Sequence, residues 1–208
     1  MPFSGPRAEA TRRGPGHSTG QESHVHSSPS KNLTKPTTEL TTERLVLRTW
    51  TTAEAITALD SEGSARPADW AADFPSEGDR VIASLLRDNP DWLGAYGHRL
   101  IIERDSGVVV GSIGLFWPPA EGVLELGYGV VASRRGRGYA TEATRALAAF
   151  ALAAPGVHTV TAGVELSNPA SVRVLEKAGF QRYDTTPADA ETAARVARFG
   201  FTRHDLGK

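Results

Sequence analysis

The fold follows from one stretch of the chain: Val130-Val131-Ala132-Ser133-Arg134-Arg135-Gly136-Arg137-Gly138-Tyr139-Ala140-Thr141-Glu142. It joins an apolar, strand-like run to an alanine-rich helical pattern through a short loop of glycines and arginines. Such a loop directs several backbone N–H groups toward the positive end of the helix dipole, which favours a bound phosphate or pyrophosphate. Glycine lets an anion approach the backbone closely, and arginine adds positive charge. The stretch therefore predicts an anion site at a strand-to-helix turn.

Composition narrows the class of protein. The chain has 208 residues, a net charge of −1 and no cysteine, so it lacks a basic field for nucleic acid, a disulfide framework and a thiol nucleophile. No apolar run approaches the ~20 residues that span a bilayer, and the N-terminus lacks the apolar core of a secretory signal. The histidines outside the first forty residues show no metal-ligand spacing. We expect a cytoplasmic protein without a metal, a nucleic-acid partner or a membrane partner.

The first forty residues differ from the rest of the chain. Only seven of them are apolar, and most of the others are Ser, Thr, Pro, Gly or charged. Such a segment buries too little surface to offset the conformational entropy of folding. We expect residues 1–40 to be a disordered tail and residues 41–208 to form one domain.

Periodicity and turn signals predict the elements of that domain. Its class is α/β (α+β), with helices packed on a mixed sheet. Gly127 and Gly129 interrupt one strand, which indicates either a bulge or a close approach of another backbone. Strands are expected at 44–48, 99–103, 108–116, 123–131, 159–166, 180–185 and 198–204, and helices at 51–59, 79–87, 139–153 and 169–178.

A second motif follows the predicted strand 159–166. Asn168 is suited to cap a helix, Pro169 to occupy its first position, and Gly179 to end it before Phe180. Capping explains these three residue types. It does not explain why the unit follows a strand downstream of the glycine-arginine loop.

Together the two motifs resemble those of the GNAT superfamily of acyl-CoA-dependent N-acetyltransferases. The family signature Arg/Gln-x-x-Gly-x-Gly/Ala is matched at 135–140, and its asparagine-led helix at 168–180. A Rossmann dinucleotide site is less favoured, because it needs a third glycine and parallel strands. The segments 42–45, 125–128 and 138–143 are most similar to the ribosomal-protein N-terminal alanine or serine acetyltransferases.

The resemblance implies a mixed, mostly antiparallel sheet of six to seven strands flanked by about four helices. It implies that acetyl-CoA is the acetyl donor and enters a gap between the fourth and fifth strands. The backbone of Val130 and Val131 would bind pantetheine, and Asn168 and Ser171 would line the other side of the cofactor. The pyrophosphate would be held by nitrogens of Arg135, Gly136, Arg137, Gly138, Tyr139 and Ala140.

The chemistry implied is direct attack of an amine on the thioester, which needs a base and a proton donor. Glu125 is our candidate base, and a solvent-facing carboxylate is the equal alternative. Many family members carry a tyrosine where this chain has Leu175. Ser171 is the nearest hydroxyl and is either the proton donor or part of the helix cap. Tyr128 and Tyr139 are weaker substitutes, and we expect Tyr128 to be a core residue.

The sequence leaves the acceptor open. A protein N-terminal α-amine follows from the branch that the chain resembles. A small-molecule amine (a polyamine, an antibiotic or an amino acid) would need an acidic cleft, and a non-catalytic acyl-CoA-binding regulator would need no acceptor. The chain is expected to be a monomer or a homodimer. Acidic residues suited to a cationic acceptor are Asp60, Glu62, Asp69, Asp73, Glu77 and Asp79.

Overall fold

An eight-stranded mixed sheet runs through the residues that the structure, a computed structural model, describes: 39–60, 66–187 and 195–207. All pairs of neighbouring strands are antiparallel except β5 and β6. The spatial order is β1-β2-β3-β4-β5-β6-β8-β7. The strands are β1 (Glu39–Thr41), β2 (Leu45–Thr49), β3 (His98–Glu103), β4 (Val109–Leu115), β5 (Val123–Val130), β6 (Thr159–Glu165), β7 (Gln181–Pro187) and β8 (Arg195–Thr202).

The eighth strand is the difference from the expected six or seven. Strand β1 pairs with β2 at the sheet edge, where Leu40 lies opposite Leu47. Strand β1 includes Glu39 and Leu40, which the sequence prediction places in the tail. The remainder of the predicted tail, residues 1–38, lies outside the described residues.

Four α-helices flank the sheet in the described part of the chain, as expected. They are α1 (Thr52–Leu59), α2 (Glu77–Asp88), α3 (Tyr139–Leu152) and α4 (Pro169–Ala178). Asn168 caps α4 by accepting from the backbone N–H of Ser171, and Gly179 ends it with a φ of 94° that favours glycine. Ser76 and Asp79 form a capping box at the start of α2. Helix α3 packs against β5 with a fully buried face of Ala143, Leu147 and Ala151.

Strands β5 and β6 separate after a short parallel contact. They pair only where Val123–Glu125 face Thr159–Thr161, whereas β5 continues beside β4 to Val130. The pairing of β5 with β4 is regular through Gly127 and Gly129, so there is no bulge here. No other backbone approaches Gly127 or Gly129 closely either, because a Cβ on Gly129 would meet no atom within 4 Å and one on Gly127 only the ring of Phe116 at 3.4 Å; the close approach is at Gly111, whose Cβ would lie 2.1 Å from the carbonyl oxygen of Gly129. The divergence leaves a gap on the β6 side of β5.

Candidate active site

The glycine-arginine loop closes one end of this gap. Gly136 and Gly138 have φ angles of 76° and 81°, which favour glycine, and Gly138 is the N-cap of α3. Asp73 fixes the start of the loop by accepting from the backbone N–H and the hydroxyl of Ser133, at 2.9 and 2.7 Å. Arg44 fixes its end by donating to the carbonyl of Arg137 at 2.8 Å. The loop predicted from the sequence is therefore a turn fixed by hydrogen bonds at both ends, and α3 begins directly after it.

A cavity of about 480 Å³ lies between this loop, β5 and α4, and we call it the arginine-lined cavity. Its charged side chains are all cationic: Arg134, Arg135, Arg173 and Lys177. Within the described part of the chain, the buried Nε of Arg134 has no hydrogen-bond partner. Four cations facing one helix N-terminus make a strong anion site. The other lining residues are Tyr128, Gly129, Val130, Gly136, Gly138, Tyr139, Ala140, Thr141, Asn168, Ala170, Ser171 and Val174.

The backbone of β5 offers the N–H of Val130 to the gap, but neither backbone group of Val131. The carbonyl of Val130 accepts from Arg135 Nε at 3.0 Å. The N–H of Val131 donates to Val110 on β4 at 2.9 Å, and its carbonyl accepts from the backbone N–H of Arg134 at 3.0 Å. Both of its backbone groups are thus used within the protein. Because backbone groups alternate in direction along a strand, those of Tyr128 and Val130 point away from β4.

Two predicted residues of the loop have other contacts. The guanidinium of Arg137 lies 3.5 Å from the carboxylate of Glu103 and does not line the cavity. The hydroxyl of Tyr139 donates to that same carboxylate. The hydrogen bond to Glu103 raises the pKa of Tyr139, and it commits the phenolic proton to a carboxylate rather than to the cavity. Arg137 and Tyr139 can contribute to an anion site through their backbone N–H groups.

Helix α4 forms the opposite wall. Asn168 and Ser171 both line the arginine-lined cavity, and their mutual contact is the helix cap, with Ser171 N–H 3.1 Å from Asn168 Oδ1. The hydroxyl of Tyr128 donates to the carbonyl of Ser171 at 3.2 Å. Leu175 is 1 % exposed, so it belongs to the core. Tyr128 is half-buried: it packs against the hydrophobic core, as expected, and it also lines the cavity.

Glu125 lies where β5 and β6 part. It faces Thr161 in the last pair between the two strands, and it is exposed. Strand alternation puts it on the same face as Gly127 and Gly129, as predicted. It lines neither of the two cavities that meet at β5.

A second cavity of about 220 Å³ lies on that face, between α2 and the sheet, and we call it the Asp79 cavity. Asp79, His98 and Ser112 are its buried polar groups, at 2, 1 and 4 % exposure. Tyr128 and Gly129 line both cavities. Asp79 belongs to the acidic set that the sequence suggested for a cationic acceptor; it lies in a helix, as predicted, and its carboxylate contacts Ser112 on the sheet. Its other lining residues are Ser76, Gly78, Ile82, Ile113 and Gly127.

The comparisons with known proteins agree with this geometry. A family model of the acetyltransferase (GNAT) domain matches residues 44–181. The chain belongs to the GNAT family. It is 37 % identical over 82 residues to the uncharacterized N-acetyltransferase YjdG of Bacillus subtilis (strain 168), a match that covers 39 % of this chain and about half, 49 %, of that relative.

Solved structures of GNAT proteins share the fold. A GNAT acetyltransferase from Bacillus anthracis superposes with a TM-score of 0.59 at 20 % identity, covering 80 % of this chain and 99 % of that one. A putative ribosomal-protein-serine acetyltransferase from Vibrio cholerae gives 0.58 at 21 % identity, covering 81 % and 99 %. This GNAT domain therefore has the mixed sheet and four helices of its family.

The described residues also bear on metal binding and on membrane insertion. No group of three or more His, Cys, Asp or Glu side chains among them is arranged to hold a metal ion. None of their helices combines the length and the apolar character needed to cross a membrane.

Proposed function

We propose that this protein transfers an acetyl group from acetyl-CoA to a primary amine, and that the acceptor is the α-amine of a protein N-terminus. The observation that carries the proposal is the arginine-lined cavity. It joins a helix N-terminus and four cationic side chains to the gap beside β5. Family membership supports the same reaction.

The residues present fit coenzyme A. Its pyrophosphate and 3′-phosphate need several cations and backbone donors, and the cavity supplies both. The unpartnered Nε of Arg134 is a donor that an anion would satisfy. A Cβ built on Gly136 would meet no atom within 4 Å, so the loop presents bare backbone to open space. Arg173 and Lys177 on α4 are placed for the 3′-phosphate.

The reacting groups then lie along β5. The thioester supplies an activated acyl carbon, to which the amine nitrogen bonds while the carbon–sulfur bond breaks. Glu125 at the parting of the strands takes the proton that the ammonium must lose before its nitrogen can attack, and solvent takes the second nitrogen proton as the amide forms. The departing thiolate takes a proton from a hydroxyl on the cavity wall. Ser171 and Tyr128 are the two hydroxyls available there, and solvent restores the proton afterwards.

The choice of a protein N-terminus rests on two arguments. The segments 42–45, 125–128 and 138–143 resemble the branch that acetylates ribosomal-protein N-termini. The face of β5 beyond the arginine-lined cavity is also open at Gly129, where a Cβ would meet no atom within 4 Å. An amine at the end of an extended chain can reach β5 through this opening.

Turnover of acetyl-CoA with a panel of amines tests the proposal. The panel contains peptides that begin with Ala or Ser, spermidine and an aminoglycoside, and thiol release is measured. We expect turnover with the peptides. In calorimetry, Arg134→Gln and Arg135→Gln should weaken coenzyme A binding by about tenfold or more. Arg87→Gln, an exposed residue of α2 paired with Asp88, is the control. Absence of coenzyme A binding by the wild type would refute the proposal.

A further inference from the structure

Asp73 lies in the irregular stretch before α2, and the sequence suggested it, with five other acidic residues, for a cationic acceptor. In the structure its partner is the glycine-arginine loop. One carboxylate oxygen accepts from the backbone N–H of Ser133 and the other from the Ser133 hydroxyl, at 2.9 and 2.7 Å. The two residues are 60 positions apart, so the contact joins segments that are distant in the sequence.

The two hydrogen bonds cap a short turn. Ser133 is the middle residue of a 3₁₀ turn, Ala132–Arg134, that follows β5. The first N–H groups of a helical turn have no partner within it. The N–H of Arg134 reaches back to the carbonyl of Val131 at 3.0 Å, and the N–H of Ser133 is satisfied by Asp73. A carboxylate from another segment therefore fixes the backbone directly before the first arginine of the cavity.

The segment that carries Asp73 is itself fixed to the sheet. The N–H of Val109 on β4 donates to the carbonyl of Asp69 at 2.7 Å, and the N–H of Ala71 donates to the carbonyl of Val109 at 2.9 Å. Trp70 and Phe74 are buried, and their rings meet edge to face with centroids 4.9 Å apart. The carboxylate of Asp73 thus extends toward the loop from a support that is anchored on β4.

The charge of Asp73 and its hydrogen bonds act on an anion in opposite directions. The hydrogen bond from the Ser133 N–H lowers the pKa of Asp73, so the carboxylate is ionised at neutral pH. A negative charge near a pyrophosphate site repels the ligand. The hydrogen bonds instead hold the backbone from which Arg134 and Arg135 reach the cavity. Asp73 itself does not line that cavity, so it does not compete with the phosphates for their donors.

We propose that Asp73 is a positioning residue of the donor site: its two hydrogen bonds to Ser133 hold the glycine-arginine loop in the conformation that binds the pyrophosphate of coenzyme A. This inference rests on the proposed acetyl transfer. Asp73 acts through Ser133 and the two arginines that follow it, and it touches neither substrate. The acidic stretch before α2 thereby serves the donor through Asp73.

Calorimetry of the full chain with coenzyme A separates the two effects. Asp73→Ala removes both hydrogen bonds and should weaken binding by about tenfold. Asp73→Asn removes the charge but keeps both contacts, because its amide oxygen accepts from the N–H and its amide nitrogen donates to the hydroxyl oxygen. It should stay within about threefold of the wild type. Asp69→Ala, at an exposed carboxylate of the same segment, is the matched control and should keep the wild-type affinity.

A shortened ligand shows which phosphate Asp73 serves. Asp73→Ala should weaken coenzyme A and dephospho-coenzyme A, which lacks the 3′-phosphate, by the same factor. Lys177→Gln, placed for the 3′-phosphate, should weaken coenzyme A alone. In steady-state kinetics Asp73→Ala should raise the KM for acetyl-CoA by about tenfold and leave kcat and the KM for the peptide unchanged. Partial unfolding would instead lower kcat and leave the KM values as they are.

Ser133→Ala keeps the test valid if Asp73→Ala does not fold. It removes one of the two hydrogen bonds, so it should weaken coenzyme A binding by about threefold, and the effect should be smaller when Asp73 is already alanine. Unchanged affinity in Asp73→Ala and Ser133→Ala, or tighter binding in both Asp73 variants, would overturn the positioning role while acetyl transfer stands. Absence of coenzyme A binding by the wild type would instead refute the proposed function.

Discussion

The phenol of Tyr128 on β5 donates a hydrogen bond to the backbone carbonyl of Ser171 in the first turn of α4, 3.2 Å away. This contact crosses the gap in which we place the thioester. Burial raises the pKa of Tyr128, and the hydrogen bond to Ser171 only partly offsets this, so the phenol is fully protonated at neutral pH. Leu175 leaves α4 without a phenol of its own. The phenol of Tyr128 reaches this wall of the cavity from strand β5 instead.

Removal of the Tyr128 hydroxyl should slow the chemical step. We expect Tyr128→Phe to lower kcat by about 10- to 100-fold, since a positioned proton donor contributes at least that much. Ser171→Ala keeps the carbonyl that holds the phenol, so it tests the serine hydroxyl separately and should have the smaller effect. Tyr183→Phe, at an exposed tyrosine of β7, is the control. A larger loss of kcat in Ser171→Ala than in Tyr128→Phe would make the serine the donor.

The sequence predicts those features of the structure that depend on the local pattern of residue types. Gly136 and Gly138, the cap at Asn168 and the turn at Gly179 each need a particular residue type for a local backbone reason. These features located the loop, α3 and α4. The resemblance to the GNAT family predicted a gap between the fourth and fifth strands of the sheet. In the structure β5 and β6 separate after Glu125.

The partners of Asp79 and Tyr128 were not predictable in the same way. The predicted helix begins at Asp79, whereas in the structure α2 begins at Glu77 and Asp79 is its third residue, the acidic member of a capping box with Ser76. Its second contact, Ser112, is 33 positions away, and nothing local signals it. Tyr128 alternates with Leu126 and Val130, so alternation alone gives a core position. Only the separation of β6 from β5 leaves this side chain beside an open cavity.

Glu125→Gln should reduce turnover most at low pH. An α-amine has a pKa of about 7.7–8.0, so at pH 6.5 most of it carries the proton that a base must remove. We expect a loss of kcat/KM of about tenfold or more at pH 6.5 that shrinks toward pH 9. The pH–rate profile of Glu176→Gln, at an exposed carboxylate of α4, is the comparison. A profile unaltered by Glu125→Gln would remove this residue as the base.

The ion pair between Arg44 and Glu142 should support the loop. Glu142 Oε2 lies 2.7 Å from Arg44 Nη2, and its Oε1 accepts from the Thr42 hydroxyl at 2.6 Å. Burial alone would raise the pKa of Glu142, but the hydrogen bonds from Thr42 and Arg44 lower it overall. Arg44 also donates to the carbonyl of Arg137 in the loop. Loss of the carboxylate therefore loosens both α3 and the anion site.

We expect Glu142→Gln to weaken coenzyme A binding by about three- to tenfold, or about 0.7–1.4 kcal/mol. Because the folded-state pKa is lowered, the stability that this carboxylate contributes is present above about pH 4.3 and is lost as pH falls through the folded value. The free energies of unfolding of the wild type and Glu142→Gln, measured with urea, should therefore converge as the pH falls through the folded-state pKa of Glu142. Glu54→Gln breaks a similar pair with Arg48 away from the loop. It should cost stability and leave coenzyme A affinity intact; equal losses of affinity in both variants would contradict a specific role.

Gly138 should not tolerate a side chain. Its φ of 81° strains any other residue, and a Cβ there would lie 3.3 Å from Arg44 Nη2. Gly138→Val therefore displaces the N-cap of α3 and the guanidinium that holds the loop. We expect coenzyme A binding to be abolished in calorimetry. Gly107→Val, which has a similar φ of 70° but open space in a distant turn, controls for strain alone and should still bind coenzyme A; unchanged affinity in Gly138→Val would refute the pyrophosphate assignment.

His98 should make the fold weaken as the pH falls through the mildly acidic range. Burial lowers the pKa of His98 from 6.5 to about 4, so below pH 6.5 the unfolded chain binds a proton that the folded chain does not. The free energy of unfolding therefore falls between about pH 6.5 and pH 4, by about 2–3 kcal/mol. His98→Asn removes this titration. The variant should be less stable at pH 7, because it loses ring contacts, and its stability should change less over this range.

Urea unfolding at steps of half a pH unit from pH 7.5 to 4 measures how the free energy of unfolding depends on pH in the wild type and in His98→Asn. His204→Gln, at an exposed histidine, should follow the wild type. The carboxylates whose pKa values are lowered on folding, such as Glu142 and Glu103, lose their contribution in every variant. The difference between wild type and His98→Asn therefore isolates the imidazole. Parallel curves for these two proteins would mean that folding does not lower the pKa of His98 and that its ring takes up a proton without unfolding.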